Sequence, residues 1–383
     1  MNQPVSLDPQ EKRLFVDNLQ RFLKDEVAPH YDDWEKEGIW PRALWRRFGE
    51  QGFLCVDVPE AYGGYGVSFE LSCLVVDEVS KFGFGALASG LSVHSDIVAP
   101  YILNLGSEAQ KEKYLPGMVS GEIVGAIGMT EPSAGSDLQR IKTHAARDGD
   151  QFKINGQKTF ITNGQHCDLI VLATKTDPNQ GAKGMTLFTV DCASNGFNRG
   201  RNLDKMGLHS GDTSELFFDD LIVTTADILG GEGQGFVNMM KELPRERLIL
   251  GVGCVGAAQG AFDLTVAYIT ERQAFGQAVA GFQNSRYKLA EMKTDIELCR
   301  AMAEKYTAQF IAGELTSAEA SMLKLAASEM QGRVADQCVQ MFGGYGYMTE
   351  YPISRAYLDA RIQRIYGGTS EIMKELISRS IVS

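Results

Sequence analysis

Apolar positions change their spacing twice along the chain. Between residues 9 and about 122 they recur every three or four positions, as Leu19, Phe22 and Leu23 do, which predicts helices that bury one face. From 123 to about 236 the apolar runs are short, and Leu169–Ala173 and Met185–Val190 are two of them. Helical spacing then returns. The pattern therefore predicts three domains, which cover residues 1–122, 123–236 and 237–383.

Turn pairs between the apolar runs predict that the middle domain is antiparallel. Asn-Gly and Asp-Gly supply the positive φ angles that two-residue hairpin turns require. The pairs are Asp148-Gly149, Asn155-Gly156, Asn163-Gly164 and Asn195-Gly196. No helical stretch long enough for a crossover separates the runs, which disfavours a parallel sheet.

A heptad-like seam marks the third domain as a helix bundle. Its members are Leu289, Met292, Ile296, Cys299, Ala303, Tyr306 and Phe310. Thr316 and Glu319 have the spacing of a capping box at the start of the next helix. Core packing explains the seam without a cofactor. The predicted fold class is a multidomain α+β protein, with helical, β and helical domains in that order.

The charge balance limits the class of partner. The 383 residues include 37 basic and 49 acidic side chains, a formal net charge of −12. Because phosphate binding needs clustered Lys and Arg, this balance argues against binding to nucleic acid or to an anionic membrane surface. The longest apolar run, Leu248–Ala258, is too short to cross a bilayer, so we expect no membrane span.

Cysteine and histidine patterns give no sign of a metal or disulfide framework. The seven cysteines form no C-x-x-C pair, and the five histidines include no H-E-x-x-H. We therefore expect no metal site and no disulfides, as in a reducing compartment. The first residues lack the features of a secretory signal or a transit peptide, and we expect a cytoplasmic protein.

The stretch Gly251–Gly256 matches G-x-G-x-x-G, a dinucleotide-binding pattern. The charged residues before it, Lys241–Arg247, do not suit a central parallel strand. Apolar residues also continue at helical spacing through the glycines. We interpret them as small residues that let helices pack closely, and keep a dinucleotide-dependent dehydrogenase as the alternative.

Two stretches of the middle domain combine residue types that suit a polar, aromatic ligand. Thr130–Asp137 is a turn rich in glycine and hydroxyl groups, which offer hydrogen-bond donors. In Lys158–Asn163, Phe160 and Thr162 share one face of a strand, where they can wall a flat heteroaromatic ring. An ordinary turn and a half-buried strand are the alternative interpretations of these motifs.

Three stretches of the third domain suit phosphate groups. Arg272, within Glu271–Gly276, can hold a phosphate with two hydrogen bonds, or can stabilise a helix C-terminus. Gln340–Tyr347 contains glycines that allow close backbone approach. Tyr366–Glu371 opens a helix, whose N-terminus favours an anion. Ordinary helix caps are the alternative for the last two.

In this order, the five stretches resemble the acyl-CoA dehydrogenase family. The likeness is closest to the long-chain branch, through Lys241–Leu248 and Ile365–Leu376. It implies an N-terminal helical domain, a middle antiparallel β-barrel and a C-terminal four-helix bundle. It also implies FAD as cofactor and the α,β-dehydrogenation of a medium- or long-chain acyl-CoA to the trans-2-enoyl-CoA, a step of fatty acid β-oxidation. An electron-transferring flavoprotein is the implied partner, and a homotetramer the implied assembly.

The resemblance assigns residues to cofactor and substrate. The residues expected to line the flavin are Ile127, Met129, Thr130, Ser136, Phe160 and Thr162. Those expected at the pyrophosphate and adenine, partly across a subunit interface, are Arg272, Gln283, Gln340, Gly343 and Gly344. Thr369 and Glu371 are also expected to contact FAD. Ser136, Arg247 and Tyr366 are expected at the substrate.

The expected catalytic base departs from the commonest family pattern. Most members carry a glutamate directly after the tyrosine of the last turn, where this chain has Gly367. The long-chain and isovaleryl branches instead place it on the bundle helix before an arginine, which here is Glu246 before Arg247. The resemblance therefore implies that Glu246 is the base and that the Gly367 backbone N–H binds the thioester carbonyl. A carboxylate in a helix first turn is the alternative for Glu246.

Other functions stay open within the same fold. A branched-chain dehydrogenase for isovaleryl- or terpenoid-type acyl-CoA shares Gly367 and the helix-borne base. An oxygen-using relative, either an acyl-CoA oxidase or a flavin monooxygenase, would form hydrogen peroxide. A non-catalytic flavin-binding paralogue would not need Glu246.

Overall fold

Helices with capped ends form the first domain in the computed structural model, which describes residues 7–382. Asp8 and Ser107 each accept hydrogen bonds from backbone N–H groups of the helix that follows, in capping boxes. The helices are α1 (Pro9–Phe22), α2 (Ala28–Glu37), α3 (Ala43–Glu50), α4 (Phe69–Lys81), α5 (Gly85–Ser92), α6 (Ala99–Leu105) and α7 (Glu108–Ser120). π-Helical segments, Leu23–Val27 and Val93–Val98, join α1 to α2 and α5 to α6.

One sheet forms the middle domain. Its strands are β1 (Gly125–Gly128), β2 (His144–Asp148), β3 (Gln151–Thr162), β4 (Leu169–Lys175), β5 (Met185–Asp191), β6 (Phe197–Asn202), β7 (Thr213–Thr224) and β8 (Ile228–Leu229). The described path runs β6-β7-β3-β2-β4-β5-β8, with β1 on β4, and its edge strands are β6 and β8. Most pairs are antiparallel as predicted, but β1 and β2 run parallel to β4, because the segments between them are long enough for crossovers.

The Asp-Gly and Asn-Gly pairs do not all form the turns that the sequence predicts. Asp148-Gly149 lies in the hairpin between β2 and β3, and Asn195-Gly196 lies between β5 and β6. The prediction of a turn at Asn155-Gly156 is wrong, because β3 continues through it with a bulge. There the Asn155 side chain exchanges two hydrogen bonds with Asp220 on β7, at 2.9 and 3.0 Å. These two hydrogen bonds hold β3 against β7 at the bulge, so the strand continues.

Three long helices, followed by two shorter ones, form most of the third domain. The elements are α8 (Gly235–Glu271), the short strands β9 (Gln273–Ala274) and β10 (Gln277–Ala278), α9 (Gln283–Ile311), α10 (Ser317–Phe342), α11 (Pro352–Ala360) and α12 (Ser370–Ile381). The seam predicted on α9 packs into one apolar core with α8 and α10. The Thr316–Glu319 capping box is present. Helix α8 begins at Gly235, so Glu246 lies in its interior and not in its first turn.

The G-x-G-x-x-G glycines lie inside α8, as the helical interpretation predicts. A Cβ at Gly251 would lie 2.7 Å from the Leu323 side chain of α10, and one at Gly256 would overlap the backbone of Asp77 on α4. The glycines therefore let α8 approach α4 and α10 closely. They contact other helices rather than forming the turn between a strand and a helix.

Two helical stretches reach the length and apolar composition of a membrane span. They are Gly85–Leu105 and Gly235–Glu271, and 72% and 56% of their apolar windows are buried against the rest of the protein. A count of uncharged runs alone underestimates the length of these apolar stretches, because their windows include a few charged residues. Buried core helices meet the same criteria, so these windows alone identify no membrane segment.

Candidate active site

A cavity of about 680 Å³ lies where the three domains meet. Helix α8 forms one wall, from Glu246 at one end to Leu264 at the other. The middle domain contributes five of the residues expected at the flavin: Ile127, Met129, Thr130, Phe160 and Thr162. Tyr366 and Gly367, from the segment before α12, line the same cavity. The structure thus brings residues from β1, β3, α8 and the last turn together, as the resemblance implies.

Phe160 lines this cavity from β3, in an unusual conformation. Its φ is +60° and its side chain is 66% exposed, although it lies inside β3. The pairing of β3 with β7 shifts register between Lys158 and Ile161, which releases the intervening residues from the regular ladder. A non-glycine residue with positive φ in a strand is strained, and such strain concentrates at functional sites.

A buried ion pair that the sequence analysis missed fixes the backbone beside Phe160. Lys158 Nζ, fully buried, donates to Glu131 Oε1 at 2.8 Å and to the Met129 carbonyl at 3.1 Å. Glu131 also accepts from the backbone N–H groups of Lys142 and Thr143. Burial lowers the pKa of Lys158 to about 8. Together these bonds join β3 to the turn that carries Thr130.

Glu246 is buried in the first part of α8, and its side chain reaches the cavity. Its Oε1 accepts a hydrogen bond from the Tyr101 hydroxyl on α6 at 3.1 Å. Burial raises the pKa of the Glu246 carboxyl from 4.5 to about 7, while Tyr101 and Arg247 oppose this rise and Glu242 adds to it. A group with that pKa is able to accept and release a proton near neutral pH.

Arg245 anchors α8 to the first domain, which sequence reasoning also missed. Its Nη2 lies 2.7 Å from Asp57 Oδ2 and 3.7 Å from Asp96 Oδ1, and its Nε donates to the Asp96 carbonyl at 3.0 Å. The guanidinium stacks 4.4 Å from the centre of the Phe69 ring. The sequence shows Arg245 only as one residue of the charged stretch Lys241–Arg247. Its role as an anchor becomes visible only from its contacts with distant segments of the chain.

Gly367 holds a backbone conformation that suits glycine, with φ +63°. A Cβ there would lie 2.8 Å from Leu250 Cδ1, on the same face of α8 as Glu246 and one turn further on. A side chain at this position would therefore require Leu250 to shift and would be strained by the positive φ. Its peptide still forms part of the cavity wall, beside Tyr366.

A second cavity, of about 410 Å³, collects four of the residues expected at the pyrophosphate and adenine. These residues are Arg272, Gln340, Gly343 and Gly344. A Cβ at Gly343 or Gly344 would meet no atom within 4 Å, so the backbone here is open to a ligand. Arg272 supplies the cation, and its guanidinium lies 5.5 Å from the centre of the Tyr345 ring.

Five expected residues lie outside the linings of both cavities: Ser136, Arg247, Gln283, Thr369 and Glu371. Ser136 is exposed in its turn. Arg247 Nη1 contacts Ser317 Oγ at 3.3 Å, and Gln283 donates to the Tyr287 hydroxyl. Thr369 caps α12, with Glu371 in its first turn. Their local contacts account for these positions, and their roles toward cofactor or substrate stay predictions.

The residues of the two cavities fit FAD. Apolar side chains and the exposed Phe160 ring suit a flat ring system, and Arg272 beside open glycine backbone suits a pyrophosphate. Among residues 7–382 no group of three His, Cys, Asp or Glu side chains is placed to hold a metal ion.

Family models match most of the chain. The model of the acyl-CoA dehydrogenase N-terminal domain matches residues 9–122, that of the middle domain residues 126–221, and that of the C-terminal domain residues 233–382. The order of the three matches is that of the helical, β and helical parts of the structure.

Relatives match over nearly their whole length. The rat mitochondrial long-chain specific acyl-CoA dehydrogenase is 45% identical, over 97% of this chain and 87% of its own. The potato mitochondrial isovaleryl-CoA dehydrogenase is 33% identical, over 97% of this chain and 90% of its own.

Solved structures show the same fold. An acyl-CoA dehydrogenase from Geobacillus kaustophilus has a TM-score of 0.95 and 46% identity, covering 98% of this chain and 99% of its own. Butyryl-CoA dehydrogenase from Megasphaera elsdenii also has a TM-score of 0.95, at 34% identity and with complete coverage of both chains. With three family domains matched in order and identity this high, the chain belongs to the acyl-CoA dehydrogenase family of FAD-dependent oxidoreductases.

Proposed function

We propose that this acyl-CoA dehydrogenase uses Glu246 as the base that removes the α-proton of a medium- or long-chain acyl-CoA, giving the trans-2-enoyl-CoA. The observation that carries the proposal is the position of Glu246. Its buried carboxyl lies on the wall of the cavity that also holds the expected flavin residues and Gly367. Position 367 carries no carboxylate, and its positive φ favours the glycine that is present.

The chain's own groups account for the proton transfer. A carboxyl with a pKa of about 7 is half ionised near neutral pH and accepts a proton more readily than an ordinary glutamate. The Gly367 N–H is the proposed donor to the thioester carbonyl, where it would stabilise the enolate charge by a few kcal/mol. Bound flavin and acyl chain would exclude water from the reacting atoms. Bound FAD supplies the acceptor for the β-hydride.

The wall that helix α8 contributes to the cavity, which the substrate would share with the flavin, supports an extended acyl chain. Helix α8 lines it from Glu246 to Leu264, which corresponds to about 27 Å at a rise of 1.5 Å per residue. Small or apolar residues line most of this wall: Ile249, Leu250, Gly253, Ala257, Ala258, Gly260 and Ala261. This surface suits a long hydrocarbon better than a short or charged acyl group.

Anaerobic titration with acyl-CoAs of increasing length tests the proposal. We expect long straight chains to bleach the flavin absorbance fully and isovaleryl-CoA to bleach it weakly. Full bleaching by isovaleryl-CoA alone would favour the branched-chain alternative instead. Hydrogen peroxide formed at the rate of turnover in air would indicate an oxidase.

Glu246→Gln tests the base, with Glu242→Gln as the matched control. Both carboxylates are buried on α8 one turn apart, but only Glu246 lines the cavity. We expect Glu246→Gln to keep FAD and lose at least a hundredfold in turnover, and Glu242→Gln to stay within a few-fold of the parent. Near-parent turnover of Glu246→Gln would contradict the assignment.

We further propose an electron-transferring flavoprotein as the electron acceptor, a homotetramer as the assembly and the cytoplasm as the location. The family supports the first two, and seven free, buried cysteines support a reducing compartment. The net charge of −12 supports the absence of a nucleic-acid partner. The absence of a membrane span likewise stays a prediction.

A further inference from the structure

Helices α6 and α8 are joined by two parallel hydrogen-bonded contacts. Tyr101 and Asn104 lie one turn apart on α6, and Glu246 and Glu242 lie one turn apart on α8. The Tyr101 hydroxyl donates to Glu246 Oε1 at 3.1 Å. Asn104 Nδ2 donates to Glu242 Oε1 at 3.1 Å and to Oε2 at 3.2 Å. Each buried carboxyl of α8 therefore has its own neutral donor from α6.

The two contacts differ in what lies beside them. Glu246 lines the cavity and Glu242 does not. Tyr101 is fully buried and belongs to the apolar core of the first domain. Its ring is fixed by packing, so its hydroxyl has little freedom to leave Glu246. Tyr101 does not line the cavity itself and acts only through the carboxyl.

We infer that Tyr101 is a positioning residue for the base: its hydroxyl holds Oε1 of Glu246 and leaves Oε2 to face the substrate. The inference rests on the proposed role of Glu246. A carboxyl held by one oxygen loses rotational freedom, and a base held in place reacts faster than one that must be oriented in each cycle.

The hydroxyl also acts on the charge of the base. A donor to a carboxylate stabilises the ionised form, so Tyr101 opposes the rise in pKa that burial causes at Glu246. Arg247 acts in the same direction and Glu242 in the opposite one. Other charged groups near the site are Asp57, Asp96, Arg245 and Lys324. The charged residues Asp32, Lys81, Arg355 and Asp359 line the same cavity as Glu246.

The test is the pH profile of kcat/KM for Tyr101→Phe, which keeps the ring and removes the donor. We expect the acidic limb to move to higher pH by about one unit, because the ionised base loses a hydrogen bond. We also expect kcat on the alkaline plateau to fall about tenfold, because the carboxyl is no longer held. Tyr101→Leu should move the limb in the same direction.

Asn104→Leu is the matched control, since it removes the equivalent donor of the neighbouring contact. Without that donor Glu242 is more readily protonated, which weakens its repulsion of a charged Glu246. The limb should then stay in place or move slightly to lower pH, opposite to the Tyr101 variants. Flavin absorbance and the melting temperature verify that each variant is folded.

The outcomes separate this inference from the proposed function. If Glu246→Gln is inactive but the limb and plateau of folded Tyr101→Phe match the parent, the positioning role is wrong and the base assignment stands. Equal shifts in the Tyr101 and Asn104 variants would also overturn it, because they would reflect general loosening of the helix contact. If Glu246→Gln itself stays active, the base assignment fails first.

Discussion

Glu246 has two kinds of neighbour: the buried Tyr101 hydroxyl donates to its Oε1, and the residue also lines the cavity. The sequence allowed this residue to be proposed, because the glycine at position 367 leaves the usual place of the base without a carboxyl. It did not reveal Tyr101, since nothing in the spacing of α6 marks one buried tyrosine as the donor to a residue 145 positions away.

The activity of the parent enzyme should fall in acid. Glu246 must be ionised to accept a proton, and its pKa in the free protein is about 7. We expect kcat/KM to decrease about tenfold per pH unit well below that value. Steady-state rates between pH 5 and 9 check this. A profile that stays flat down to pH 5 would argue against a base with this pKa.

Stability should respond in the opposite sense. Because folding raises the pKa of Glu246 from 4.5 to about 7, ionisation of the buried group costs on the order of 3 kcal/mol above pH 7. The cost is absent below about pH 4.5 and grows as the pH rises to 7. Glu246→Gln should therefore raise the melting temperature at pH 8 much more than at pH 5. Equal increases at both pH values would contradict this account.

Relocation of the base to position 367 should fail unless Leu250 is shortened. A side chain there meets Leu250 Cδ1 at 2.8 Å and requires a positive φ. We expect Glu246→Gln/Gly367→Glu to stay inactive, and adding Leu250→Ala to restore measurable turnover. Leu250→Ala in the parent background is the control for the shortened residue. Recovery in the double variant without the third change would show that Leu250 moves aside.

At the scale of elements, glycines on α8 determine how near it lies to α4. A Cβ at Gly260 would overlap the backbone carbonyl of Lys81, whereas one at Gly332 on α10 would lie 3.7 Å from Arg364, an ordinary contact. The sequence indicated close packing through the G-x-G-x-x-G stretch. It could not identify the partner helix, because α4 and α8 are far apart in the chain.

Two glycine-to-alanine changes should therefore have opposite signs. Gly260→Ala forces α4 and α8 apart and should cost about 1–3 kcal/mol of unfolding free energy. Gly332→Ala adds a better helix former that makes only an ordinary contact with Arg364, and it should stabilise by about 0.5–1 kcal/mol. Chemical denaturation of the two variants provides the comparison. A Gly260→Ala protein as stable as the parent would mean that the helices tolerate the added methyl group.

At the scale of the whole molecule, exposed aromatic side chains cluster near the second cavity. Phe275 is 97% exposed, with its ring centre 6.2 Å from that of Phe282, and Tyr347 is 84% exposed. Arg272 and the open glycine backbone lie in the same region of the chain. Exposed aromatics of this kind are typical of interfaces. The second cavity would then be completed by a neighbouring subunit.

We expect light scattering to give four times the mass of one chain. Phe275→Asp should weaken the assembly and lower the FAD content per chain, because the proposed adenine side lies at that interface. Leu14→Asp, which alters an exposed leucine on α1, is the control and should leave both unchanged. A monomeric parent protein with a full complement of FAD would contradict the proposed assembly.

The sequence by itself determined the order of the domains, the seam of α9, its neighbouring helix cap and the motifs that carry the family resemblance. These features are local, because periodicity and capping depend on residues a few positions apart. Only the tertiary structure decided that β3 continues through Asn155 with a bulge, and that Lys158 pairs with Glu131 and Arg245 with Asp57. It also decided that Leu250 lies against position 367 and that Tyr101 contacts Glu246. Each depends on segments that are distant in sequence and meet only in the folded protein, and burial there raises the pKa of Glu246, the proposed base.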